Sequence, residues 1–347
     1  MPAPILAELA IWFYAFGYFA CYAPYSALTK ALSKGAYPGM TQPLSGNSIL
    51  PLSVMASMVG MGIFLTGMGW WKHASIHQVG RFNIRGPTRY TFLSGLCTAG
   101  IVMTTTLAYT FEGVSIVFVM LLMRGGVLVL APLVDLLSRR SVRWYSYAGL
   151  ACSLAALLVA FSSDAGFTIS PACALDVGIY LLCYFIRLQF MSRLAKSATG
   201  GNNSRYFVEE QMVATPMSAL MLAAVALWDG NTFSHEIRLG FTQVWQSGVV
   251  WPLVLVGLLS QGTGIFGGLI LLDKRENTYS VPVNRASSVL AGLLASYLLT
   301  WTLGFKPPGA AEWLGATLIV GAILFLTLPV ILEKRRRNAA PAPAPAR

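Results

Sequence analysis

The chain has 347 residues, of which 56% are hydrophobic and 11% charged. A soluble domain carries about a quarter charged residues, and a chain this apolar cannot hide so much surface from water, so a soluble globular protein is excluded. The net charge of +11 reads as basic loops beside an anionic lipid surface, not as a nucleic-acid footprint.

A bilayer core needs roughly 20 apolar residues per crossing helix. Ten runs qualify: 5–32, 49–71, 90–111, 114–137, 145–161, 172–195, 207–228, 248–272, 279–303 and 310–331. The first starts almost at once, lacks a basic leader and is too long for a secretory signal, so it reads as a span. Helices are required, because lipid offers no partner to an exposed backbone amide. The predicted fold is an all-α membrane protein of ten transmembrane helices. The five cysteines fall within or beside apolar runs and read as small hydrophobes. His73 and His77 lie four apart with no third ligand in view, so no metal and no cofactor is expected.

An even number of spans sorts the loops into two sets. One holds seventeen lysines and arginines, the other four (Lys30, Lys34, Arg238 and Lys306); Arg124, Arg187 and Arg285 lie inside spans. The asymmetry places both termini in the cytoplasm, and the expected location is a bacterial inner membrane. Asn202 opens a glycosylation-type triplet on the cytoplasmic side and is taken as chance. The tail, 334–347, is basic and then Pro/Ala-rich, and is predicted to be disordered.

The ten spans divide into two fives, 1–165 and 166–333. "RGGVLVLAPLVDLL" from Arg124 parallels "RASSVLAGLLASYLL" from Arg285, each in the fourth span of its half. "WYSYAGLACSLAALLVAF" parallels "AEWLGATLIVGAILFL" in the fifth spans, and "TAGIVMTTTLAY" in span three resembles "GTGIFGGLILL" in span eight. Five is odd, so the halves would be inverted repeats, an architecture that encloses a midplane site and rocks about it. The five-plus-five plan, the "YAPYSALTK" end of span one and these paired modules resemble the drug/metabolite transporter superfamily, its EamA-type branch in particular. That resemblance implies a ten-helix carrier with cytoplasmic termini and a central cavity for a small-molecule substrate. The stretch 34–46 and the loop 80–89 are longer than a minimal member needs.

An ionised side chain at the bilayer centre costs roughly 2.5–3.5 kcal/mol on insertion scales, so Arg124 must face protein or a wet cavity. Helical spacing places Arg285, Ser288, Gly292 and Ser296 on one stripe, and Asp176, Tyr180, Tyr184 and Arg187 on another. Tyr14, Tyr18, Tyr22 and Tyr25 share a face of span one; Thr98, Thr105 and Tyr109 in span three and Gln261 in span eight add polar groups. The candidate substrate-binding set is therefore Arg124, Arg285, Arg187, Tyr18, Tyr22, Tyr25, Thr105, Tyr184, Gln261 and Ser288. Against it stands a structural reading in which hydroxyls glue helices and Arg187 pairs with Glu210. Glu209 and Glu210 are expected to favour the start of their own helix, and Asp135 to meet Arg139 or Arg140. A guanidinium fork fits carboxylate or phosphate, so the predicted function is secondary transport of a small anionic or zwitterionic metabolite, with a proton or counter-substrate as coupling partner. The alternatives are a broad drug or cation exporter using Glu8, Asp176 or Glu209 and Glu210, and a flippase for a phosphate-bearing lipid. An intramembrane enzyme lacks a convergent catalytic set, and no nucleotide-hydrolysing motif is present.

Overall fold

The computed structural model describes residues 3–40, 42–79, 81–107, 116–162, 170–196, 203–228, 230–246, 248–305, 307 and 309–339. Tyr109, Asn202 and the end of the tail lie outside them. Helices dominate: α1 (Ala3–Ser33), α2 (Gly46–Gly67), α3 (Arg89–Leu107), α4 (Ile116–Leu137), α5 (Trp144–Ser162), α6 (Pro171–Phe190), α7 (Asn203–Leu227), α8 (Thr232–Thr242), α9 (Val250–Leu271), α10 (Asn277–Leu303) and α11 (Ala310–Ala339). Five described helices are long and apolar enough to cross a membrane: α2, α6 with its π-turn to Ala195, α7, α9 and α10. In its described part each apolar run of the sequence falls chiefly on a helix, and α11 carries the basic stretch 334–337 as helix.

Two elements go beyond the sequence expectation. One is α8, capped by the Asn231 side chain. Its Ile237 is buried against Leu222 and Ala226 of α7, while Phe233 and Phe241 pack over the same cluster. Asn47 donates to Glu236 at 2.7 Å, tying α8 to the start of α2. The other is an antiparallel hairpin of β1 (Ser75–Val79) and β2 (Phe82–Gly86), in register Ser75 to Gly86. It lies between α2 and α3 and marks one end of the bundle, called here the hairpin end.

Local chemistry starts and stops these helices. Ser45 and Ser170 accept from backbone amides in the first turns of α2 and α6, and Pro171 occupies the first turn of α6, where a missing N–H costs nothing. Gly304 ends α10 in the left-handed region at φ 68°. The core is one of helix against helix. α1 packs on α9 and α10, and α6 on α3 and α4. α2 packs on α9 as α7 does on α3, while α5 meets α11, α4 meets α10 and α2 meets α7. Phe13, Phe16, Ile63, Trp251 and Trp301 are among many large apolar side chains on the outer surface, as a lipid-facing surface requires.

Candidate functional site

Two cavities lie inside the bundle. The first, about 340 Å³, is bounded by α1, α4, α5, α10 and α11. It extends from the level of Tyr22, Arg124 and Arg285 to Lys30 and Leu299, at the end opposite the hairpin. The guanidinium of Arg124 donates to the Tyr22 hydroxyl at 2.8 Å. The two glycines after Arg124 set this placement. A side chain at Gly125 would run into Leu157 of α5, and one at Gly126 into Leu181 of α6. Thus α4 can sit close between its neighbours with Arg124 at the cavity wall. Arg285 enters from α10 and borders both cavities. Its guanidinium carbon stands 5.4 Å from the centre of the Tyr184 ring, and its buried Nε has no hydrogen-bond partner among the described residues. Ser288 lines the first cavity with its hydroxyl turned back to the Arg285 carbonyl at 2.7 Å.

An aromatic partition separates the cavities. Tyr18 and Tyr22 are stacked with ring centres 5.5 Å apart and planes 14° apart. Tyr18 borders the second cavity and Tyr22 the first. Tyr180 and Tyr184 of α6 form a second pair at 4.9 Å. Tyr25 meets Tyr22 edge-on and packs with the cluster around Leu32, Leu52 and Val249, so it stands behind the site and borders neither cavity. Thr105 lies away from both cavities too, its hydroxyl bonded to the Ile101 carbonyl at 2.7 Å.

The second cavity, about 290 Å³, lies among α1, α2, α3, α6, α7, α9 and α10. Gln261 and Tyr184 line it as the sequence suggested. So does Arg187, but its fork is engaged: Nε and Nη2 donate to the two carboxylate oxygens of Glu210 at 2.8 and 3.0 Å. Glu210 also accepts from Ser94 and Thr98. The structural reading of Arg187 is the one the geometry favours. Among the described residues lining the two cavities there is no aspartate or glutamate. Ser26, Lys30, Ser153, Gln211 and Asn284 also line them. For Ser26 and Lys30 the signal was available, since they continue the Tyr22 face of α1.

No family model and no curated protein matches this chain. A solved crystal structure of another protein resembles it at 16% identity with a TM-score of 0.55, across 95% of this chain and 99% of that one. At that identity the likeness shows the fold alone: the whole helical arrangement has a counterpart among known structures.

The hairpin end is closed by polar contacts in which acids serve helices other than their own. Asp135, fully buried at the end of α4, accepts four hydrogen bonds from the first turn of α10. They come from the backbone and side-chain amides of Asn277 (2.9 and 2.7 Å) and the amide and hydroxyl of Thr278 (both 2.7 Å). This replaces the expected contact with Arg139 or Arg140. Glu209 reaches beyond its own helix. It accepts from the amide and hydroxyl of Ser75, the amide of Thr88, the hydroxyl of Thr91 and the guanidinium of Arg205, so it anchors the hairpin and the head of α3. Glu276 accepts from Ser146 of α5 at 2.7 Å. Lys196, just past α6, points its Nζ at the Arg275 carbonyl, Asn277 Oδ1 and Ser280 Oγ at 3.0–3.1 Å. Burial, and after it the nearby Arg140, pulls the Lys196 ammonium down from its ordinary range to about 7. Asp176 of α6 is buried, neither of its carboxyl oxygens has a hydrogen-bond partner among the described residues, and it lines neither cavity.

Proposed function

We propose that the protein is a secondary carrier that moves a small anionic or zwitterionic organic metabolite through these cavities by alternating access. One observation carries this reading: Arg124 and Arg285 border a shared interior space beside stacked tyrosines, and the described residues that line it include no aspartate or glutamate. In a low-dielectric interior such a site favours a ligand that brings negative charge, and the tyrosine faces suit its organic part. A cation exporter needs a carboxylate in the chamber. Among the described acids, Glu209, Glu210 and Asp135 are instead consumed by hydrogen bonds and Asp176 lines neither cavity, while the Glu8 side chain lies outside the described residues.

The inverted-repeat reading is supported by the packing. Exchange the halves, so that α1 corresponds to α6, α2 to α7, α3 to α9, α4 to α10 and α5 to α11. The contact of α1 with α9 then becomes that of α6 with α3, α1 with α10 becomes α6 with α4, and α2 with α9 becomes α7 with α3. The contacts of α2 with α7, α4 with α10 and α5 with α11 map onto themselves. With the basic hairpin end in the cytoplasm, the first cavity opens outward and the Asp135 contacts close the inner side. Ten spans, cytoplasmic termini and an inner-membrane location complete this proposal, with a proton or a counter-substrate driving the cycle.

Uptake into proteoliposomes of benzoate, phenylalanine and ethidium, standing for a carboxylate, a zwitterion and a cation, tests it. The carboxylate or zwitterion is expected to enter, with Arg124→Ala lowering its rate about ten-fold or more and Arg124→Lys retaining part of it. Ethidium as the sole substrate, or parental rates in a folded Arg124→Ala protein, would overturn it.

A further inference from the structure

The second cavity carries a recognition surface of different chemistry from the first. Gln211 of α7, Gln261 of α9 and Asn284 of α10 are each more than nine-tenths buried, and all three line it. None of their side chains hydrogen-bonds to protein among the described residues. Apart from Arg285 Nε, no side-chain nitrogen or oxygen of the described lining residues is both fully covered and without a partner, so the three unpartnered amides keep some surface open beside this space. Buried amides are ordinarily satisfied by protein. Three left open around one space, from three helices, are a set of donors and acceptors held ready for something that enters. Gly267 helps to keep the space clear: a Cβ there would come 3.2 Å from Asn284 Nδ2 and 3.0 Å from the Tyr18 ring. Two arginines line this cavity with the amides, and since Arg187 is paired with Glu210, Arg285 is the cation it presents.

An amide side chain offers both N–H and C=O, and so matches groups that also donate and accept. Carboxylates, phosphates and ammonium groups do only one of these. Hydroxyls do both. We infer that the second cavity is a subsite for the neutral, hydroxyl-bearing portion of a substrate whose anionic end lies on Arg285, with Gln211, Gln261 and Asn284 as its specificity-determining residues. The ligand class is a polyhydroxylated organic acid. This rests on the anion-carrier reading above and narrows its cargo. An apolar acid of the same length would leave the three amides desolvated and unpaired, and that penalty is the source of discrimination.

Binding of radiolabelled gluconate and hexanoate to the full-length protein in lipid nanodiscs tests the inference. The two share chain length and charge and differ in hydroxyls. Sorbitol, a polyol without the charge, serves as competitor. The expected result is saturable gluconate binding about ten-fold or more tighter than hexanoate. Gln261→Leu and Asn284→Leu, on different helices, should each reduce gluconate toward the hexanoate level. Hexanoate binding should persist in both and report that they fold, while Arg285→Ala should weaken both acids. Equal binding of the two acids by the parent protein, no gluconate binding, or an undiminished gluconate preference in both leucine variants would overturn it. Should sorbitol compete as well as gluconate, with Arg285→Ala changing nothing, the hydroxyl subsite stands and the anion reading falls.

Discussion

Three arginines inside apolar helices meet three different fates. Arg124 takes a tyrosine hydroxyl at a cavity wall, Arg285 lies over a tyrosine ring between two cavities, and Arg187 is locked to Glu210. Sequence spacing could place all three on interior faces. It could offer Glu210 as a partner for Arg187 but not decide for it, because Glu210 lies on another helix and helical period says nothing about which faces meet. The Arg187–Glu210 pair has its own signature. Removing one partner strands a buried charge, so Arg187→Met or Glu210→Gln alone should destabilise the protein by about 3–5 kcal/mol, whereas the double change to methionines should be much milder. Thermal unfolding in nanodiscs reads both. Lys196 should leave a mark in pH. The folded protein gives up this proton above about 7, while the unfolded chain keeps it to its ordinary 10.5. Between those values the unfolded state binds more protons, so the Lys196 contribution to stability rises with pH across that window. Unfolding midpoints at pH 7 and 9 should diverge less in Lys196→Met than in the parent.

At the scale of elements, the closed end depends on one helix capping another. Asp135 at the end of α4 satisfies the first-turn amides of α10, which have no backbone acceptor within their own helix. Asp135→Ala should therefore loosen the start of α10, with amide exchange around residues 277–280 at least about ten-fold faster and exchange in α9 unchanged; hydrogen exchange with mass readout checks it. Such caps across helices are invisible to a reader of local sequence, who gives Glu209 to its own helix and Asp135 to the arginines that follow it. The hairpin and α8 are a different case, because their signals were present. "SIHQVGRFNIRG" holds two short runs about a two-residue turn, and Asn231 followed by Phe233, Ile237 and Phe241 is a cap with an apolar stripe. Both lie beside stronger apolar runs, and a reading tuned to bilayer-length segments passes over elements this short.

At the scale of the molecule, two features come together: helix contacts that recur when α1–α5 are exchanged with α6, α7 and α9–α11, and an interior that holds one cavity beside Arg124 and another lined by amides, with Arg285 bordering both. The helical runs were legible because apolar length is a linear property of the chain. The division of the interior was not, since Gln211, Gln261 and Asn284 come from three separate helices and only packing brings them together. The claim on which transport rests is that this interior is reached from both sides of the membrane in turn. Gly292 lines the first cavity, and a side chain there would meet open space, so Gly292→Cys on a cysteine-free background should fold. Labelling by a membrane-impermeant thiol reagent in right-side-out and inverted vesicles then gives the most direct test. The account predicts labelling from the outer side in the parent protein and a shift toward the inner side when Asp135→Ala is added. Labelling from the outer side alone, unmoved by Asp135→Ala, or no labelling from either side, would contradict it.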